Sequence, residues 1–308
     1  MKQLLSSLKF STQPKQSKQP KLTIGIIGNG FVGKATSLFA CLDIKVIIYD
    51  KDPTLCVPQD TQLTDLLECA IIFICVPTPM KPDGSCHIAI VDSVVKQLRE
   101  INYQHFIVIR STVPVGTCER LDCYFMPEFL TESNYEKDFR TTNPWVIGYI
   151  LNQRTEKFKQ TMNQLLEIAS LHHKIQYNYT KYVFTSEAEL IKLFRNSLLA
   201  TKVSFCNEIY QLCIRKNINY HTVRSIATLD SRISSGHTQV PGPDGSFGFG
   251  GTCFPKDIES LHYQMKQVGV KPILLEAVIT RNKTIDRPEQ EWIHKKGRAV
   301  INDESEST

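Results

Sequence analysis

The chain has 308 residues, 42% of them hydrophobic and 22% charged, with a formal net charge of +5. That balance excludes a disordered or fibrous protein and suffices for one large or two modest domains with their own cores. Lys2, Lys9, Lys15, Lys18 and Lys21 crowd into an N-terminal stretch without an acidic residue, so the rest is about neutral and no nucleic-acid-binding face is indicated.

Residues 1–20 are rich in Ser, Gln, Lys and Pro and are expected to be a disordered basic tail. Its apolar content is too broken for a secretory signal, and it lacks the arginines of a transit peptide. No apolar run reaches a membrane-spanning length, so no membrane partner is expected. Ten cysteines without a Cys-x-x-Cys pair fit neither a zinc site nor a disulfide scaffold. No metal is expected, and the thiols read as buried or idle in a reducing, cytoplasmic compartment.

Lys21 to Ile27 is a β-branched run, followed by Gly28-Asn29-Gly30-Phe31-Val32-Gly33 and a helix-like stretch to Leu42. A second strand, Lys45 to Tyr49, ends in Asp50. Further buried strands are predicted at Ala70 to Val76 and His105 to Arg110, separated by a helix from Val91 to Arg99. Shorter runs at Cys123 to Met126 and Trp145 to Ile150 extend the sheet. A helix from Arg154 to Leu171 and a strand near Lys174 to Tyr179 complete it. This alternation predicts an α/β architecture: a Rossmann-type doubly wound parallel sheet over residues 21–181. From 182 to 300 the pattern is all-helical. Ser186 to Arg215 reads as one long amphipathic helix and Tyr220 to Leu229 as a shorter one. A Gly- and Pro-rich loop spans Asp230 to Thr252, helices resume from Pro255, and 301–308 form a polar tail. There is no internal repeat. The long helix exceeds what one small domain can cover, which predicts a homodimer.

The glycine spacing after the first strand lets the chain turn tightly and approach a pyrophosphate at a helix N-terminus. Asp50, 20 residues after Gly30, suits the ribose hydroxyls and disfavours a 2′-phosphate, which selects NAD over NADP; Lys51 beside it softens that preference. Val76-Pro77-Thr78-Pro79 and the turn from Ser111 to Thr117 follow two strands, where ligands of open parallel sheets bind. Cys253 follows a glycine turn, Gly248-Phe249-Gly250-Gly251, and precedes a proline suited to a helix start, with Lys256 close by. A thiol at the positive end of a helix, near an ammonium, is expected to favour thiolate. Lys192 and Asn196, four residues apart, share one face of the long helix.

Taken in order, the glycine fingerprint, Val-Pro-Thr-Pro, Ser-Thr-Val-Pro-Val-Gly-Thr, Pro127-Glu128-Phe129-Leu130, Lys192 with Asn196, and the Cys253 segment closely resemble UDP-glucose 6-dehydrogenases and related nucleotide-sugar dehydrogenases. The resemblance covers about residues 22 to 285. It implies oxidation of a sugar C6 alcohol to a carboxylate with two NAD per turnover, through a thiohemiacetal and a thioester on Cys253. It further implies that Lys192 stabilises an oxyanion, that Asn196 holds water or substrate, and that Asp257 and Thr112 order water. Glu128 and Glu132 would lie beside the substrate, with Glu132 helping to deprotonate water. Thr112, Glu132 and Lys256 would touch the cofactor, as would Gly28 to Gly33, Asp50, Lys51 and Val76 to Thr78. The sugar would meet Glu128, Phe129, Leu130, Thr131, Glu132, Lys192, Asn196, Phe247 and the turn Gly248 to Gly251. Arg232 would reach a neighbouring subunit's site. Full-length members carry a further nucleotide-gripping domain, which this sequence lacks, so a short form is expected. UDP-glucose is the first substrate reading. GDP-mannose or a UDP-hexosamine is the nearest alternative, and a non-catalytic NAD-binding or assembly module is the other class.

Overall fold

The computed structural model describes residues 19–302. The expected tails therefore fall outside the described residues, apart from 19–20 and 301–302. Seven strands form one sheet: β1 Leu22–Ile27, β2 Ile44–Tyr49, β3 Ile71–Ile74, β4 Phe106–Ile109, β5 Tyr124–Phe125, β6 Trp145–Tyr149 and β7 Thr180–Phe184, in the order β2-β1-β3-β4-β5-β6-β7. All neighbours pair in parallel except β5 with β6. The helices are α1 Phe31–Ser37, α2 Ala89–Glu100, α3 Thr117–Arg120, α4 Tyr135–Arg140, α5 Thr155–Leu171, α6 Thr185–Lys216, α7 Tyr220–Ala227, α8 Phe254–Gln267 and α9 Ile273–Arg281.

The central strands are continuous apolar runs because both faces are covered. Along β3, Ile71 and Phe73 point into a core shared with α1, α4 and α5, while Ile72 and Ile74 point into a second core shared with α2. Phe106 and Val108 divide from Ile107 and Ile109 in the same way on β4. The chain is thus doubly wound, as expected.

Two boundaries differ. The last strand is Thr180–Phe184 and not Lys174 to Tyr179, so the sheet runs a few residues past 181. The stretch before it crosses the end of α4, where the Gln176 amide donates to the Arg140 carbonyl. The first helix stops at Ser37, well short of Leu42. Helix α6 starts directly after β7, and its first turns are buried against the sheet: a Cβ on Gly148 of β6 would lie 2.9 Å from the Ala188 Cβ. One helix therefore serves both parts of the molecule. Among the described residues, no helix is long and apolar enough to cross a membrane. All ten cysteines are free thiols.

Candidate active site

At the carboxyl end of β1, Gly28 adopts a φ of +94°, and a Cβ there would lie 2.6 Å from the Cys75 carbonyl oxygen at the end of β3. A Cβ on Gly33 would lie 2.0 Å from the Gly28 carbonyl oxygen, so helix α1 packs against the turn at glycine distance. A Cβ on Gly30 would meet nothing within 4 Å; this position faces open space. These three environments fit a dinucleotide pyrophosphate in the β1–β3 crevice. The Asn29 amide donates to Asp50 Oδ2 at 2.7 Å and its side chain donates to the Leu55 carbonyl at 2.7 Å, which fixes the edge beyond β2. Asp50 also accepts from the Asp52 amide, and Lys51 is exposed. Phe31 and Val32 open α1 and are half-buried.

Beyond β3, Val76 accepts a hydrogen bond from the Ser111 hydroxyl at 2.7 Å, tying together the two turns that line the cleft. Pro77 is exposed, whereas Thr78 and Thr112 are buried. Cys86 Sγ lies 3.9 Å from the Thr78 carbonyl oxygen and 3.7 Å from that of Thr112, and burial pushes its thiol up to about 11.

The expected catalytic residues converge from three elements. Lys192 on α6 is buried and donates to the Glu128 carbonyl at 2.8 Å and to Glu128 Oε1 at 2.5 Å. Glu128 follows β5, and its other carboxylate oxygen accepts from the Leu130 amide at 2.8 Å. One turn along α6, Asn196 donates to Asp257 Oδ2 at 2.6 Å; Asp257, on α8, also receives Lys256 Nζ on Oδ1 at 2.5 Å. Cys253 is the N-cap residue of α8, with Pro255 in its first turn, as the sequence predicts. Phe129 is half-buried, 3.6 Å beneath the Arg195 guanidinium.

The electrostatics correct one expectation. Burial, seconded by Glu128, raises the Cys253 thiol above its ordinary value, although Lys192 and Lys256 pull the other way. The resting side chain is thereby biased toward the thiol and away from the thiolate. Burial alone would depress Lys256, but the charge of Asp257 and the hydrogen bond to it oppose that, and its ammonium is held above the usual range. Lys256 thus points inward to Asp257.

Other expected site residues stand apart from this cluster. Glu132 is half exposed and paired with Arg298 at 2.7 Å. Thr131 is exposed, its amide donating to Asp138. Arg232 is exposed and paired with its own neighbour Asp230 at 2.5 Å. Phe247 is partly exposed and rests at a tilt against Tyr210. Two glycines of the turn make room for the chain itself: a Cβ on Gly250 would lie 2.2 Å from Glu291 Oε1, and one on Gly248 2.3 Å from Asn282 Oδ1. Gly251, with a φ of +77°, faces open space. Phe249 is buried, its amide and carbonyl both bonded to the Asn282 side chain at 2.9 Å.

Sequence reasoning missed Glu189 and Gln264. Buried Glu189, three residues before Lys192 on the same face of α6, accepts from the Gly116 amide at 2.6 Å and the Cys118 amide at 2.8 Å. Gln264 on α8 accepts from the Val115 amide at 2.8 Å. Together they hold the turn carrying Thr112 to the two helices that carry Lys192 and Cys253. The helical spacing to Lys192 was the signal that could have revealed Glu189.

Residues 55–168 match the NAD binding domain, and residues 186–284 the central domain, of the UDP-glucose/GDP-mannose dehydrogenase family. The chain belongs to that family. Its first part is the family's NAD-binding domain, and the glycine turn at 28–33 lies upstream of the matched range. Among curated relatives, the UDP-glucose 6-dehydrogenase of Rickettsia typhi is 34% identical over 224 residues, 69% of this chain and 49% of the relative. That of Pseudomonas aeruginosa is 32% identical over 237 residues, 70% of this chain and 49% of the relative. The chain spans about half the length of these relatives. Among solved structures, a UDP-glucose dehydrogenase from Pyrobaculum islandicum superposes with a TM-score of 0.72 at 25% identity, covering 88% of this chain and 69% of that one.

Proposed function

We propose that the chain is an NAD-dependent dehydrogenase that oxidises the C6 alcohol of a nucleotide sugar, UDP-glucose foremost, to the carboxylate. The observation that carries this reading is the buried network of Glu128, Lys192, Asn196, Lys256 and Asp257 around Cys253, set at the carboxyl ends of the strands. NAD, when bound, accepts the electrons of each of two successive oxidations.

Lys192, held in place by Glu128, presents an ammonium to the oxygen on which negative charge develops as the alcohol is oxidised. A donor fixed before reaction stabilises that charge without reorganisation. At the aldehyde stage the Cys253 sulfur bonds to the carbonyl carbon. Its proton ends on the carbonyl oxygen, giving a thiohemiacetal. The sulfur adds as thiolate, so the raised thiol gives up its proton in the same step. The second oxidation leaves a thioester, and water attacking its carbon breaks the C–S bond and returns the thiol. Asn196 and Asp257, bonded to each other, hold that water, while the covalent tether prevents escape of the aldehyde.

A homodimer through the exposed face of α6 belongs to the same reading. The test is to supply NAD with UDP-glucose, GDP-mannose or a UDP-hexosamine and follow NADH absorbance. UDP-glucose should give the highest kcat/KM. NADH from none of them, with NAD binding intact by calorimetry, would leave a non-catalytic NAD-binding module.

A further inference from the structure

Residues 286 to 301 follow the part of the chain that matches the family's central domain, which ends at 284. This segment touches three parts of the site in succession. At its start, Arg287 donates to Asp244 Oδ2 at 2.7 Å and to Glu291 Oε2 at 2.8 Å, and Glu291 Oε1 accepts the Gly251 amide at 3.0 Å, two residues before Cys253. Trp292, 1% exposed, then shares a small cavity with Pro255 and Ile258 of the helix that Cys253 caps. At its end, Met80 donates to the Ala299 carbonyl at 2.8 Å and accepts from the Ile301 amide at 3.1 Å. Met80 follows the Val76-Pro77-Thr78-Pro79 turn at the end of β3. Ala299 and Ile301 are buried there, and Arg298 pairs with Glu132, in the loop beyond β5.

A segment rooted beside Cys253 and fastened to the loops beyond β3 and β5 crosses the edge of the sheet where ligands of this fold lie. Both ends are buried and hydrogen-bonded, the far one through Met80 to Ala299 and Ile301. Beside that far end the Arg298–Glu132 pair is half exposed on both sides. Exposed pairs contribute little stability, so it is the contact released most readily.

We propose that residues 286–301 form a strap over the cleft between the glycine turn and the cofactor loops, with Arg298 and Glu132 as its latch. Arg298 is a positioning residue: it acts through Glu132 and through the strap, without touching the reacting atoms. The proposal rests on the dehydrogenase reading only for what the cleft holds. It also changes the reading of Glu132, whose carboxylate serves the latch while the strap is shut.

The test is the rate of carbamidomethylation of Cys253 by iodoacetamide in the full chain, read by peptide mass spectrometry, with no substrate or turnover. Arg298→Ala and Glu132→Ala should each raise the rate about two- to fivefold, the range that loss of an exposed ion pair permits. The double variant should be no faster than either single one, because both remove the same contact. Arg298→Lys should return the rate toward that of the parent. A rate unchanged in the single variants, or strictly additive effects in the double variant, would overturn the strap. Should Ile301→Asp, which undoes the buried end, also leave the rate unchanged in a protein that melts normally, the strap does not cover Cys253 at all. Latch-dependent alkylation in a chain that makes no NADH would leave the strap standing and overturn the dehydrogenase reading alone.

Discussion

Glu128 and Lys192 are buried at 5% and 3% exposure, 2.5 Å apart, so each offsets a charge that the other has taken out of water. Replacing one member of such a pair leaves the other uncompensated, at a cost of about 3–5 kcal/mol. Lys192→Met should therefore lower the melting temperature and, if the ammonium serves a developing oxyanion, reduce kcat by about 10²–10³-fold. Glu128→Gln combined with Lys192→Met should recover much of the stability and none of the activity. Thermal melting and steady-state kinetics on the same preparations separate the two effects. Cys253 carries a second residue-level expectation. Because burial and Glu128 raise its thiol above the ordinary range, the thiolate fraction stays small at neutral pH and grows as pH rises. Its alkylation rate in the ligand-free chain should still be climbing where that of an unperturbed thiol has levelled off. A plateau at or below the ordinary thiol range would show that the helix terminus and the two lysines outweigh burial after all.

Helix α6 has two faces with different tasks. Glu189, Lys192, Leu193, Asn196, Ala200 and Asn207 point inward, while Leu190, Phe194, Leu198, Phe205 and Leu212 are each at least 45% exposed. At 100° per residue the exposed set falls within about 80° of arc, a continuous apolar stripe. A second copy would cover it. Phe205→Glu should shift the sedimentation coefficient from dimer to monomer; if the parent chain is already monomeric at micromolar concentration, the stripe has some other use. The helix was legible in the sequence almost to the residue, because its length and apolar recurrence leave no other reading. The strand before it was not. Polar and apolar residues alternate from Lys174 to Thr180 and an apolar run, Tyr182 to Phe184, follows; only the pairing with β6, Trp145 with Thr180 and Tyr149 with Phe184, decides which part enters the sheet. That constraint is tertiary and invisible to a local pattern.

In the whole molecule, the site is where two layers meet: strand-end loops from the sheet, and side chains from α6 and α8. The residues read from motifs, Cys253, Lys192, Asn196, Asp257 and Glu128, do come together, because each motif fixes both a residue and its place on an element. What escaped the sequence were the contacts between layers. Glu189 and Gln264 bind backbone amides, partners that no side-chain motif names, and Glu291 fills the space over Gly250 from 41 residues away. The turn from Gly248 to Gly251 was legible as special but its reason was not: Gly248 and Gly250 are small so that Asn282, Arg287 and Glu291 can close on them. The proposed mechanism stands on Cys253 as the covalent tether between two oxidations. The measurement that tests it most directly is the number of NADH formed per nucleotide sugar consumed, in the parent chain and in Cys253→Ser. Two per sugar with carboxylate product are expected for the parent, and for the variant a loss of carboxylate formation. Two per sugar at an undiminished rate in Cys253→Ser would contradict it.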